Sequence, residues 1–393
     1  MHITDIIETT EFQHRLDKVR RRMDAEGFEL LIITDPCNIY YLTGYDGWSF
    51  YTPQALIVFL NEAPLLIARK MDIPGIAMST WLGADRLIGY DETLVQSPDG
   101  HPFDVVADEI IKRFQGRAFT AGIESESYYF SVRAFRLLCE KLTAARFIDS
   151  GFLVNWVRFI KSPAELDLMR QAGALLTKNM MMTIEAIRSG VPERHAVSAA
   201  YASNIDGFDD YGGSYSSSPA FLLSGERIKT PHLPWTDAKV GKDTQINLEL
   251  MGNRLRYQCT MGRTVYVGEP PAKLRELEKI VCDAIDEVVS ALQPGVTCHD
   301  VADGFYKFLN RHGIEKDSRC GYSLGIVYPP TGGELTASFR RGDKTVLQEG
   351  AAMHFLPAIW SDDVSIIISE PLVITEQGCE LLCTVPRQLF VND

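Results

Sequence analysis

A strong helix-start signal lies near the middle of the chain and separates two different secondary-structure patterns. Residues 162–165 (SPAE) combine a serine N-cap, a proline at the first helical position and a glutamate that completes a capping box. An apolar helical pattern then continues to about Ile187. With 393 residues the chain is too long for one ordinary domain. We therefore predict two domains, over residues 1–155 and 156–393.

The amino-terminal part alternates between helical and strand patterns. Apolar residues at helical spacing predict a first helix that ends at Gly27, a residue type favoured at helix C-termini. Short apolar runs predict buried strands, and amphipathic segments between them predict helices. The expected strands are 30–33, 55–59, 65–67 and 119–123, and the further helices are 103–114 and 129–142. This order indicates an α/β domain with a mixed sheet.

The carboxy-terminal part mixes strands and helices without regular alternation, which predicts an α+β domain. Strands are expected at 245–250, 263–267, 364–368 and 371–374, and helices at 273–292 and 298–311.

Composition narrows the functional class. The net charge of −13 disfavours nucleic acid as a partner and suits a neutral or cationic ligand, although acidity can also reflect an acidic or saline cytoplasm. No apolar run is long enough to span a bilayer, and the N-terminus lacks a signal-peptide pattern. The eight dispersed cysteines are typical of buried thiols in a reducing compartment. We therefore expect a cytoplasmic protein without membrane contact.

Several ordered motifs resemble the creatinase/prolidase/methionine aminopeptidase family. They are NIYYLTG (38–44), RFIKSPAE (158–165), SG (224–225) followed by PH (231–232), MGRT (261–264), LQPGVT (292–297) and EPLVITEQG (370–378). The resemblance implies a creatinase-type α/β amino-terminal domain and a catalytic domain of the α+β "pita-bread" fold. It also implies a homodimer in which the amino-terminal domain borders the partner's active site.

The sequence departs from the family at the metal site. Metallopeptidase members bind two metal ions through two aspartates, a histidine and two glutamates. The corresponding residues of this chain are Glu249, Thr260, Tyr322, Leu356 and Glu370. Two metal ions need bridging carboxylates to balance their charge, and leucine cannot coordinate a metal. We therefore expect no metal and no other cofactor.

Three side chains remain as candidates for catalysis. His232 matches the histidine that the family uses as an acid or base near the leaving nitrogen, although a packed or surface histidine is the alternative. Glu249 lies in the alternating segment INLEL (246–250), and Glu370 follows an apolar run, so both should be buried. A buried carboxylate needs a cationic partner or a proton. That partner is either the substrate or a structural ion pair.

The resemblance extends to the metal-free members of the family, creatinase and ectoine hydrolase. Creatinase carries an arginine for its substrate carboxylate where the segment GWSFYT (47–52) is aromatic and uncharged. Trp48, Phe50 and Tyr51 could stack on a flat cationic ring, unless they are core or interface residues. Leu356 would add an apolar wall suited to a methyl group, and Tyr322 is also expected to bind the substrate.

The combined pattern predicts a metal-independent hydrolase that opens the cyclic amidine ring of ectoine to an N-acetylated diaminobutyrate. The alternatives are a creatinase-type enzyme acting on a guanidino acid, a non-catalytic binding member of the family, and an Xaa-Pro metallopeptidase. The segment GYSLG (321–325) matches the serine-hydrolase G-x-S-x-G motif. A serine triad of Ser323, Asp343 and His354 is rejected because the flanking segments lack the strand and helix that this motif requires.

Overall fold

The computed structural model describes residues 2–361 and 364–393. The chain separates into two compact units, one ending at Arg158 and the other beginning at Phe159. Within the described residues, no helix has both the length and the apolar character needed to cross a membrane.

The amino-terminal unit alternates helices and strands as predicted. Its elements are α1 (Thr9–Glu26), β1 (Leu30–Ile33), α2 (Pro36–Thr43), β2 (Ala55–Phe59), β3 (Leu65–Arg69), α3 (Ile73–Ser79), β4 (Leu87–Tyr90), α4 (Phe103–Phe114), β5 (Phe119–Ile123), α5 (Val132–Lys141), β6 (Ala145–Asp149) and α6 (Leu153–Arg158). Helix α1 ends at Gly27, whose φ of 73° is left-handed and therefore favours glycine.

The strands of this unit form one mixed sheet in the order β4-β3-β2-β1-β5-β6. Strand β1 is antiparallel to β2 and parallel to β5, which confirms the predicted mixed topology. Apolar side chains from the central strands pack against helices α4 and α5, for example Ile32, Ile57, Ile110 and Leu138. One layer of this unit's core therefore lies between its sheet and these helices.

The carboxy-terminal unit contains the long helix and two further sheets. Its elements are α7 (Pro163–Ala186), α8 (Glu193–Asp206), β7 (Phe221–Ser224), β8 (Thr244–Arg254), β9 (Tyr257–Val267), α9 (Ala272–Ala291), α10 (Cys298–Arg311), β10 (Gly321–Ser323), β11 (Gly325–Ile326), β12 (Ala352–Phe355), β13 (Glu370–Thr375), β14 (Gly378–Leu381) and β15 (Phe390–Asn392).

Helix α7 begins with the predicted capping box. The Ser162 hydroxyl accepts a hydrogen bond from the Glu165 amide, and the Ser162 amide donates to the Glu165 carboxylate at 3.0 Å. This reciprocal pair satisfies two amide groups that would otherwise lack partners at the helix start.

The two sheets of this unit have the orders β11-β9-β8-β7 and β10-β12-β13-β14, and β15 adds to the first beside β9. Helix α7 packs on one face of the long β8–β9 hairpin. The opposite face carries Asn247, Thr264 and their strand neighbours, and Thr264 bonds to the segment that precedes β13.

The predicted strand at 364–368 is wrong. Within its described residues, Ile366 forms only an isolated bridge with Ile359. The Ile367 amide instead donates to the Thr264 hydroxyl, and the Ser369 amide donates to the Gly262 carbonyl. The apolar run at 366–368 is buried as expected, but its described hydrogen bonds go to Ile359 and to Thr264 of strand β9 and not to a ladder of its own.

Candidate active site

The face of the β8–β9 hairpin opposite helix α7 places Glu249 beside small and apolar neighbours. Glu249 pairs with Phe221 of β7 on one side and with Gly262 of β9 on the other. Cross-strand partners share a face of the sheet, so the Phe221 ring lies next to Glu249. A side chain at position 262 would begin 2.2 Å from the Ile367 side chain, so any larger residue there would displace Ile367.

This apolar setting leaves Glu249 without a counter-charge. Glu249 is only 9% exposed to solvent. Among the described residues, no side chain forms an ion pair or hydrogen bond with its carboxylate. Burial raises the pKa of Glu249 to about 7. At neutral pH the side chain can therefore be either protonated or ionised. The ionised form can act as a base, a nucleophile or an anchor for a cation.

Glu370 differs from Glu249 because the protein itself neutralises it. Arg263 Nη2 donates to Glu370 Oε1 at 2.9 Å, and Arg387 Nε donates to the same oxygen at 3.2 Å. Arg263 is fully buried, and it also donates to four backbone carbonyls, those of Gly262, Ser369, Val385 and Pro386. The contacts of Glu370 therefore correspond to the structural ion pair that the sequence left open as an alternative.

Tyr322 lies on strand β10 and is held by several contacts. Its backbone pairs with His354 of β12, and the two rings meet edge to face with centroids 5.1 Å apart. The Arg319 guanidinium lies 4.7 Å from the centre of the Tyr322 ring. Burial, and to a smaller extent the negative charge of Glu249, raise the pKa of the Tyr322 hydroxyl, while Arg319 opposes the shift. The hydroxyl therefore stays protonated and is a hydrogen-bond donor near Glu249.

His354 is a buried histidine that the sequence placed only in the rejected triad. Its Nε2 lies 2.8 Å from the Ser369 hydroxyl, which also accepts from the Gly262 amide. Burial, with smaller contributions from Arg319 and Arg263, lowers the pKa of His354 to about 3. The imidazole is therefore neutral, and it supports the ring of Tyr322.

The rejection of a serine triad agrees with these contacts. Ser323 bonds to Thr336, and Asp343 accepts from the amides of Ser338 and Thr345. His354 therefore bonds to a different serine, Ser369, and not to the serine of the G-x-S-x-G motif.

His232 lies on the exposed segment that follows β7, close to the same face of the sheet. Its ring centroid is 5.5 Å from that of Phe221, the cross-strand neighbour of Glu249. Exposure gives this imidazole access to solvent protons. Its predicted role as a proton donor remains a prediction.

Trp48, Phe50 and Tyr51 belong to the amino-terminal unit. Trp48 is 57% and Tyr51 66% exposed. The Phe50 ring contacts Trp48 and Tyr129, and the Tyr51 hydroxyl accepts a hydrogen bond from Arg69 at 3.1 Å. Trp48 and Tyr51 are exposed and Phe50 is half-buried, so none of the three is a core residue of its unit. Substrate stacking by these rings remains a prediction.

The residues at the family's metal-ligand positions do not fit a two-metal centre. Thr260 is a buried hydroxyl, Leu356 is apolar, and Tyr322 stays protonated. Glu370 is already bound by Arg263, so Glu249 is the only carboxylate of the five positions without a charge partner among the described residues. No group of three or more His, Cys, Asp or Glu side chains within 2–361 and 364–393 is arranged to bind a metal.

The models of two protein families match the chain. The Creatinase/Prolidase N-terminal domain matches residues 15–160, and metallopeptidase family M24 matches residues 167–376. The chain belongs to metallopeptidase family M24. The predicted fold, a creatinase-type α/β domain followed by a pita-bread catalytic domain, is thereby confirmed.

Individual relatives of this M24 protein extend over its whole length. An uncharacterized hydrolase/peptidase of Sinorhizobium fredii is 41% identical over 394 residues, covering 100% of this chain and 99% of the relative. Ectoine hydrolase of Halomonas elongata is 38% identical over 388 residues, covering 97% of each chain. The crystal structure of prolidase from Thermococcus sibiricus matches with a TM-score of 0.84 at 19% identity, covering 97% of this chain and 99% of that one. The M24 protein is therefore a hydrolase, and the prolidase likeness shows its fold.

Sequence reasoning missed two residues of this site, Arg263 and His354. Arg263 shares its strand face with the apolar residues Met261 and Val265, and a cation in a buried strand requires an acidic partner. This pattern predicts a buried acidic partner for Arg263 but does not indicate which acid it is. The packing of His354 under Tyr322 depends on the pairing of β10 with β12, which no local pattern reveals.

Proposed function

We propose that this protein hydrolyses ectoine, or a closely similar cyclic amidine that carries a carboxylate, to an N-acetylated diamino acid without a metal ion. The observation that carries the proposal is the buried carboxylate of Glu249, which has no charge partner among the described residues. A buried unpaired carboxylate is costly, and a cationic amidinium would provide the missing partner. The full-length similarity to an ectoine hydrolase supports this choice of substrate.

The proposed reaction is the addition of water to the amidinium carbon, followed by cleavage of one ring C–N bond. Glu249 either removes a proton from the attacking water or attacks the carbon itself, forming an ester that water then hydrolyses. His232 donates a proton to the departing ring nitrogen, so that an amine leaves and an acetamide remains. Tyr322, which is protonated and close to Glu249, would donate a hydrogen bond to the substrate.

The donor set supports metal independence. Among the five positions that correspond to the family's metal ligands, only Glu249 has a carboxylate without an arginine partner in the described residues. One carboxylate cannot bridge two ions and balance their charge. The homodimer implied by the family resemblance remains a prediction alongside this proposal.

The first prediction tests product and metal together. After exhaustive chelation, we expect the protein to convert ectoine to an N-acetyl-diaminobutyrate at an unchanged rate, measured by mass spectrometry and initial rates. Creatine and an Xaa-Pro dipeptide, incubated in parallel, should remain intact. Turnover that disappears on chelation and returns with zinc or manganese would contradict metal independence, and cleavage of the dipeptide would favour a peptidase.

The second prediction concerns His232. Because it would donate the proton to the leaving nitrogen, His232→Ala should lower kcat by roughly 10²–10⁴. The thermal melt should be unchanged, since the side chain is exposed. His195→Ala, another exposed histidine in α8 of the same unit, is the matched control and should retain full activity. Full activity of His232→Ala would show that His232 is a surface residue without a catalytic role.

A further inference from the structure

Three buried polar side chains continue the face that carries Glu249 toward the tip of the β8–β9 hairpin. Asn253 pairs with Gln258 across the ladder, and Thr260 pairs with Met251, the second residue after Glu249. Residues two apart in a strand share a face, so Thr260, Gln258 and Asn253 lie on the same face as Glu249. We refer to these three residues as the polar row.

In the part of the chain that the structure describes, each member of the polar row has a buried polar atom without a partner. The atoms are Thr260 Oγ1, Gln258 Nε2 and Asn253 Nδ2, and the three residues are at most 3% exposed. Unsatisfied buried donors cost free energy and are therefore rare in folded proteins. The Gln258 amide is held in one orientation because its Oε1 accepts from the amide and the hydroxyl of Ser217. Its NH₂ group is consequently the end left without a partner.

The unmatched groups are two amide donors and a hydroxyl, which together suit an acceptor with several lone pairs. Carboxylate oxygens are such acceptors. One nearby acidic residue, Glu334, does not oppose an anion because it is paired within the protein. The buried Lys161 Nζ lies 2.5 Å from Glu334 Oε2, so that this acidic residue is neutralised. At the tip of the hairpin, the Arg256 guanidinium stacks 3.5 Å from the centre of the Tyr215 ring and adds positive charge.

The spacing allows one small molecule to contact both ends of this face. Strand rise places Thr260 about 7 Å, and Gln258 about 14 Å, along the sheet from the level of Glu249. Both long side chains, Glu249 and Gln258, can bridge part of this distance. A cyclic amidine held at Glu249 through its cationic nitrogens would thus direct a ring carboxylate toward Thr260 and Gln258.

We infer that the polar row is the subsite for the substrate carboxylate, so that this protein recognises a zwitterion through one anionic side chain and a set of neutral donors. The inference rests on the proposed function, because it takes Glu249 as the anchor of the amidinium. It assigns to Asn253, Gln258 and Thr260 a role in specificity and none in the chemical step.

Isosteric acidic substitutions test the polar row, since they replace an NH₂ donor by a charged oxygen. In Gln258→Glu the remaining oxygen still accepts from Ser217, and Asn253→Asp makes the same change across the ladder. The ligands are ectoine and 2-methyl-1,4,5,6-tetrahydropyrimidine, the same ring without the carboxylate. Affinity is measured by calorimetry, or as KM from initial rates where turnover occurs, and a thermal melt checks folding. Gln293→Glu adds the same charge at an exposed position and serves as the control.

We expect Gln258→Glu and Asn253→Asp to lower the affinity for ectoine at least about tenfold, because each places a negative charge beside the substrate carboxylate. The ring without the carboxylate should bind to these variants as tightly as to the wild type, or more tightly. If an acidic variant does not fold, the uncharged Thr260→Val should lower the affinity for ectoine roughly three- to tenfold, because one hydrogen bond is lost. The affinity for the ring without the carboxylate should stay the same.

Equal affinity of all variants for ectoine, or equal weakening of both ligands, would overturn the subsite and indicate that ordered water satisfies the row. A wild-type protein that binds neither ligand would overturn the subsite and the proposed function together. Binding of ectoine that depends on its carboxylate, without any ring-opened product, would overturn the proposed function alone.

Discussion

Replacement of Glu249 by glutamine should abolish turnover and at the same time stabilise the protein at alkaline pH. The substitution keeps the shape of the side chain and removes its charge and its nucleophilic oxygen. We expect kcat to fall by at least about 10³, which corresponds to roughly 4 kcal/mol of transition-state stabilisation. A rise in KM with kcat nearly unchanged would instead identify Glu249 as a passive anchor.

The effect on stability follows from the direction of the pKa shift. The folded protein raises the pKa of Glu249 to about 7 from an ordinary value of 4.5, so the unfolded chain releases this proton at a lower pH than the folded chain does. The protonated side chain contributes fully to folding below about pH 4.5, and the contribution is lost as the pH rises through 7. Above pH 7 the buried charge therefore destabilises the wild type by about 3 kcal/mol. The Glu249→Gln variant carries no charge at this position and is not destabilised in this way.

Denaturant unfolding of both proteins at pH 4.5 and at pH 8 measures this difference. The two should be almost equally stable at the lower pH, and the variant should be the more stable at pH 8. Glu249→Asp, which keeps the charge but retracts it, is the matched control and should not be stabilised at pH 8. A variant with kcat within about tenfold of the wild type would remove Glu249 from the mechanism, since that change is only about 1.4 kcal/mol.

Replacement of Arg263 by methionine should be the most destabilising of these substitutions. It would leave Glu370 buried with only the partly exposed Arg387 beside it. Breaking a buried ion pair from one side costs about 3–5 kcal/mol, because the remaining charge stays in the interior. For a unit of this size we expect a fall in Tm of roughly 10 °C, measured by calorimetry.

The substitution Glu370→Gln tests whether Glu370 has a structural role or binds the substrate. Arg263 would still donate to its backbone carbonyls, so the loss of stability should be smaller, about 1–3 kcal/mol. The KM should change less than about threefold, well under the tenfold that 1.4 kcal/mol of lost binding energy would produce. Glu380→Gln, which removes the partner of Arg170 on the surface, is the control and should cost less than about 1 kcal/mol. A large rise in KM with unchanged stability would make Glu370 a substrate anchor after all.

Local patterns predicted much of the fold. The capping box at Ser162 and Glu165, the helix end at Gly27 and the strand at 30–33 all depend on neighbours within a few residues, and the structure confirms them. The segment before β13 was predicted as a strand because its apolar run has the composition of one. Two of its amides, those of Ile367 and Ser369, bond to Thr264 and Gly262 of a distant strand, a partner that no window of local sequence contains.

The sequence alone predicted the family, the two-part organisation and the replacement of the metal ligands, because each depends only on which residue type stands at a given position. Leucine at a ligand position excludes coordination in any packing. Tertiary structure alone decided how the two buried glutamates differ. Glu249 and Glu370 look alike in sequence, each an acid beside an apolar strand, but Arg263 reaches Glu370, whereas Phe221 and Gly262 flank Glu249. The availability of a buried carboxylate for a substrate depends on its three-dimensional neighbours, since only they set its counter-charge and its hydration.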